Sequence, residues 1–170
     1  MSMCHKAYAL DYALFSRELA PVLFDALATG HTSELSSFVD THTKALTFPW
    51  DASPLPEDWE SALHVGDVHE IGDLALTMYY DADDDCGLQE LWSGIDDQLP
   101  DAARPCLLGT PFGPPENLFD PGRMGSYFQD PSEVVRSRDV VGTLSSYDLS
   151  RFLALLEGAA RSSRGLYVTF

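Results

Sequence analysis

Lysine is scarce in this chain. Of its 10 basic residues only Lys6 and Lys44 are lysines, and 27 acidic residues leave a formal net charge of -17. A field of that sign repels phosphate backbones and anionic lipid, so the expected partners include neither nucleic acid nor a membrane surface. A basic protein or a cation is the expected partner instead, although solubility alone accounts for the same surplus. No apolar run approaches the roughly 18 to 20 residues of a membrane helix, and residues 1–10 lack the charged, apolar and small-residue order of a signal peptide. A cytoplasmic protein is therefore expected. The three cysteines, Cys4, Cys86 and Cys106, cannot all pair and show no Cys-x-x-Cys spacing, which predicts reduced thiols rather than a disulfide framework or a zinc site. Also missing are the Gly-x-Ser-x-Gly elbow, the phosphate loop and the Gly-x-Gly-x-x-Gly fingerprint, and with them the usual signals of acyl transfer and nucleotide binding.

What is present is enough for one sizeable core: 170 residues, 45% of them hydrophobic, predict a single domain over 1–170. Alternation predicts strands over 3–10, 74–80 and 166–170, with Lys6, Tyr8 and Leu10 on one side of the first and Leu166, Val168 and Phe170 on one side of the last. A further short strand is expected over 68–71 and extended chain over 45–48, 107–108 and 126–129. Apolar residues at three-and-four spacing predict helices over 17–29, 33–44, 88–99 and 146–161. Pro21 should kink the first of these or mark its start, because proline lacks the amide donor that a helix interior needs. Ser145 and Asp148 have the spacing of a capping pair for the last helix, and a helical stretch from Pro131 should end at Gly142. The expected fold is α+β: a small, mostly antiparallel sheet with about four helices packed on it in one pair of layers.

Three stretches offer chemistry. Asp81, Asp83 and Asp85 occupy the first, third and fifth positions of a calcium-type loop, where alternate residues aim oxygens at one centre. Cys86 and Trp92 stand where that loop needs its glycine and its bidentate glutamate, so a turn that caps the following helix is the competing reading. The stretch His64 to Asp73 brings His64, His69, Glu70 and Asp73 close in sequence, a donor set for metal-assisted hydrolysis, but Gly72 weakens the helix that such spacing requires. A divalent cation is the one cofactor that these patterns allow.

The third stretch, residues 109–127, is rich in proline and glycine yet anchored by apolar side chains, the composition of a long packed loop. In it Asp120, Arg123 and Tyr127 form the expected ligand- or partner-binding group, with an Arg123–Asp120 ion pair as the structural alternative. Three functions from different classes follow. The first is a binding module, of inhibitor or immunity type, that meets a basic partner. The second is a metal-assisted enzyme or cation binder. The third is a small-molecule-binding or biosynthetic protein that closes the loop over a ligand, which demands a cavity beneath 109–127.

Overall fold

The computed structural model describes residues 4–144 and 147–170. Its centre is β3 (Gly165–Thr169), which pairs antiparallel with β1 (Lys6–Leu10) on one side and β2 (Ser126–Gln129) on the other. The register sets Lys6 opposite Thr169, Tyr8 opposite Tyr167, and Phe128 opposite Tyr167 on the far side. Because strand side chains alternate, Lys6, Tyr8, Phe128, Tyr167 and Thr169 share one face of the sheet.

Both faces are covered. Tyr8, Leu10, Phe128 and Tyr167 enter a core built with α1 (Tyr12–Glu18), α2 (Ala20–Thr29), α3 (Ser33–His42) and α4 (Val68–Leu76). Ala7, Leu166 and Val168 enter a second core with α5 (Trp92–Ile95), α6 (Arg104–Leu107), α7 (Pro131–Val141) and α8 (Ser150–Arg161). The fold is α+β with an antiparallel sheet, as expected, but the four expected helices become eight among the described residues and occupy both sides of the sheet. The reason is visible in β3, whose residues Gly165 to Val168 are all buried. A strand with no wet face needs cover on each side.

Local signals explain most boundaries. Asp11 caps α1 by accepting from Leu14 N at 3.1 Å, and Pro21 falls in the first turn of α2, where a missing amide costs nothing. The expected break at Pro21 is thus a new helix that starts one residue earlier. Gly30, at φ 75°, ends α2 with its N–H on Ala26 O at 2.8 Å. Helix α7 opens with a reciprocal capping box, in which Asp130 accepts from Ser132 N and Glu133 N, and Glu133 accepts from Asp130 N. Replacing Asp130 by alanine should lower stability by about 1 kcal/mol in urea unfolding, and Asp130→Ser should recover most of it. The proposed Ser145 cap of α8 lies outside the described residues.

Several expectations are overturned. Residues 74–80 are not a strand, and 68–71 is not one either: α4 runs through Leu76, and turns carry the chain on to Tyr80. Asp67 caps this helix, accepting from His69 N and Glu70 N at 3.0 Å each. Leu74, Ala75 and Leu76 are all buried, so a run apolar on every side imitated alternation. The expected helix over 88–99 is also absent from its first half. Leu88 N donates to His5 Nδ1, and Gln89 exchanges backbone hydrogen bonds with His5. Residues 85–89 therefore line the outer edge of β1, and only Trp92–Ile95 coils, followed by a tight 3-10 turn at Asp96–Gln98. The segments 45–48 and 107–108 do not widen the sheet. Isolated bridges, Thr47 to Pro54 and Thr110 to Phe128, take the place of the added strands. Among the described residues no helix is long and apolar enough to cross a membrane.

Candidate functional site

The face of the sheet that carries Lys6, Tyr8 and Thr169 is open at one end, and there α4 and two loops close a cleft around it. Asp73 projects from α4, Tyr80 from the turn after it, Trp50 from one loop and Gly122 from the other. The cleft has a volume of about 140 Å³. Helix α4 packs closely on α2 and Phe119 because Gly72 has no side chain: a Cβ there would stand 2.8 Å from Leu23 Cδ1 and 2.9 Å from Phe119 Cε2. Across the cleft, Gly122 packs its backbone on Phe170 O, again leaving no room for a Cβ.

Asp73 is the residue on which the cleft turns. Burial pushes its carboxyl up to about 7, and neither the Lys6 charge nor the nearby Tyr167 hydroxyl offsets this. Among the described residues it has no ion-pair partner within 4.0 Å. The phenols around it are held protonated, burial being the largest cause for Tyr8, Tyr80 and Tyr167 alike, with the Asp73 charge second for Tyr80 and Tyr167. Their rings form one cluster, Tyr8 to Tyr80 at 4.6 Å and Tyr80 to Tyr167 at 5.3 Å between centroids. Tyr167 is fully buried, and its Oη makes no hydrogen bond of good geometry, although it lies close enough to the carboxyl to favour the charged form. A buried hydroxyl left without a partner costs about 1–3 kcal/mol, so the cluster is held together at some expense to the fold. A carboxyl that titrates near neutrality in a cleft, beside neutral phenols and one ammonium, can exchange a proton or a hydrogen bond with a bound molecule.

The residues singled out from the sequence are distributed differently. His69 accepts from Asp120 N at Nδ1 (3.1 Å), which leaves the proton on Nε2, facing Asn117 Oδ1 at 3.2 Å. Asn117 in turn donates to Leu27 O at 2.9 Å, so this histidine pins the 109–127 loop to α2 and α4. Glu70 accepts from three consecutive amides, His64, Val65 and Gly66. Partial burial pushes its carboxyl up, but the three donors outweigh this and hold it below the usual range. His64 itself is exposed. Replacing Glu70 by alanine should cost about 1–3 kcal/mol of stability in urea unfolding, because the 64–66 turn loses its acceptor.

Asp120 accepts from Met124 N at 3.1 Å and Gly125 N at 2.9 Å and closes its own turn. The expected Arg123–Asp120 pair does not form: Arg123 reaches Asp67 at 3.3 Å with its side chain 74% exposed. An ion pair so exposed contributes little, and Arg123→Ala should change stability by less than about 0.5 kcal/mol. Tyr127 meets Phe170 edge-on at 6.4 Å. The acidic turn is likewise engaged in chain reversal. Asp81 accepts from Asp83 N at 3.0 Å, and Asp85 accepts from Ala7 N at 3.0 Å and Gly87 N at 2.9 Å, tying the turn to β1. Neither Asp81, Asp83 and Asp85 nor His64, His69 and Glu70 are gathered around one point. Among the described residues no group of three or more His, Cys, Asp or Glu side chains is placed to hold an ion.

The cleft does lie partly under the 109–127 loop, through Pro121 and Gly122. Of its polar groups the sequence had suggested only Asp73, and that as a metal ligand. Lys6 and Tyr8 on one strand face and Tyr167 between two aliphatic residues were the available signals, and they acquire meaning only through the strand register. A wider hollow of about 660 Å³ lies elsewhere, between Cys4 and Arg151. No protein family matches the chain, and no curated protein or solved structure is significantly similar to it.

Proposed function

We propose that the protein binds a small molecule in the cleft between α4, the sheet and the Pro121–Gly122 turn, with Asp73 as its polar anchor. The observation that carries this reading is a carboxyl kept without an ionic partner in an aromatic cleft, next to a buried phenol that also lacks one. Unpaired polar groups of this kind are costly in a folded interior and concentrate where a ligand completes them. The reading also supplies the cavity that the loop-closure hypothesis requires. Its test is a fragment screen followed by NMR. Binding fragments should shift the ring resonances of Tyr8 and Tyr80, and Asp73→Ala should weaken that binding about tenfold while the variant stays folded. Fragments that bind only elsewhere on the molecule would remove this reading.

A second reading keeps the charge surplus as the functional feature. Asp81, Asp83 and Asp84 are exposed on one turn, and Asp11 joins Asp81 and Asp83 along a hollow of about 530 Å³. This supports a surface that meets a basic protein, where electrostatics chiefly speed encounter. Changing Asp81, Asp83 and Asp84 together to asparagine should slow association with a basic partner about tenfold at low salt. An unchanged rate would argue against it.

A further inference from the structure

The dimensions, walls and charges of the Asp73 cleft restrict what can enter it. Its volume of about 140 Å³ is close to that of an apolar protein cavity of about 150 Å³ that accepts one benzene. That leaves room inside the cleft for a single six-membered ring. Tyr80, Pro49 and Pro121 line it together with the backbone of Phe170, whose ring packs on the other face of the sheet against His5 and Trp92, and Trp50 stands at the rim with 60% of its surface exposed. Trp50 is nevertheless held in place. It stacks on Phe48 at 4.5 Å, at the tip of a turn closed by Phe48 N to Ser53 O and Ala52 N to Phe48 O, each 2.9 Å. A large exposed indole fixed over a ring-sized opening offers a stacking face to whatever fills it.

Charge narrows the class further. Lys6 and Asp73 line the same small space with opposite signs. A cation inside would meet the Lys6 ammonium, and an anion would meet Asp73 as well as the repulsion of a chain of net charge -17. An uncharged ring with an acceptor for the ammonium and a donor for the carboxyl satisfies both groups without placing a new charge in the cleft. Resting on the small-molecule reading above, the geometry points to an uncharged, planar, one-ring heterocycle with a hydrogen-bond donor and acceptor on one edge, lactam-like, stacked on Trp50 and held by Asp73 and Lys6.

The probe is 2-pyridone, compared with benzoate, benzylammonium and toluene, which share its size but differ in charge or polarity. Trp59 and Trp92 are 1% and 3% exposed against 60% for Trp50, so Trp50 supplies the emission that a bound ring quenches. Saturable quenching by 2-pyridone is expected, with affinity at least about tenfold above that of the three comparison molecules, a margin of about 1.4 kcal/mol. Asp73→Ala and Lys6→Met should each weaken binding about tenfold. Asp73→Asn should keep it within about threefold, because the amide still hydrogen-bonds the ring edge; a cationic ligand would instead lose most of its affinity there. Trp50→Phe, at an exposed position that does not threaten folding, should abolish the quenching while Tyr8 and Tyr80 resonances still report binding. Benzoate, benzylammonium or toluene bound in the cleft as tightly as 2-pyridone would overturn the ligand class and leave the cleft reading intact. Failure of every probe to shift the Tyr8 and Tyr80 resonances at millimolar concentration would overturn both.

Discussion

Replacing Asp73 by asparagine should make the protein progressively more stable than wild type as pH rises from about 4 to about 7. The folded chain holds this carboxyl up at about 7, against its usual 3.8. Between those values the native state binds a proton that the unfolded state has released, so wild-type stability falls as pH climbs through the window and levels off above it. The interval is about three pH units, and at about 1.4 kcal/mol per unit the total is on the order of 4 kcal/mol, an upper bound because the cleft admits water. Asparagine has the same shape and no charge to desolvate, so its advantage should grow across the window. Urea unfolding of both proteins at a series of pH values measures the difference, and parallel curves would show that Asp73 titrates as an ordinary surface carboxyl.

The second large effect is expected at His5, and its pH dependence has the opposite sign. The ring is fully buried, donates from Nε2 to Leu107 O at 2.9 Å and accepts from Leu88 N at Nδ1 at 3.1 Å. It stacks on Trp92 at 5.1 Å and meets Phe152 and Phe170 edge-on. One side chain thus joins β1 to the 85–89 edge segment and to the end of α6. His5→Ala leaves a carbonyl and an amide unpaired in a ring-sized hole, a loss of about 3–5 kcal/mol by urea unfolding. His5→Phe refills the hole but not the hydrogen bonds, and should recover about half. A loss below about 1 kcal/mol for His5→Ala would contradict the buried, doubly bonded ring. Burial also lowers the His5 pKa, more than its bond to Leu107 raises it. The unfolded chain then takes up a proton first as pH falls below about 6.5, so this contribution to stability is present above that value and declines below it. Because His5 and Asp73 act in opposite directions, the difference between wild type and Asp73→Asn isolates the carboxyl where either curve alone would not.

How much of this could be read in advance varies along the chain. Helix α7 ends at Gly142 as expected, because Asp130, Pro131, Glu133 and Gly142 are all local stop and start signals whose partners lie within one turn. The same holds for the end of α2 at Gly30. The stretch through Leu74 and Tyr80 imitates a strand because a helix buried on most sides has no polar stripe, and three apolar residues in a row carry no period. The Asp67 cap, four residues upstream of Ile71, was the local sign of a helix. Leu88 fits a helical face by spacing but is held by His5, 83 positions away, and no local pattern carries such a contact. The chemistry of the loop residues Asp120, Arg123 and Tyr127 suggests a binding group, yet Asp120 closes a turn, Arg123 pairs at the surface and Tyr127 packs on Phe170.

Composition and short-range pattern alone determined the α+β class, the first and last strands in chain order (β1 and β3), the extended chain at β2 and the strongly negative charge. These depend on side-chain period and on hydrogen bonds within a few residues, so they survive without knowledge of the rest of the chain. Only tertiary structure decided that both faces of the sheet are covered and that Asp73 lies beside Lys6, Tyr8, Tyr80 and Tyr167. That neighbourhood needs the antiparallel register of β1 on β3 and the packing of α4, which Gly72 lets settle on α2 and Phe119. The altered proton affinity of Asp73 arises from what surrounds it, since desolvation is a property of a place in the fold and not of a residue type.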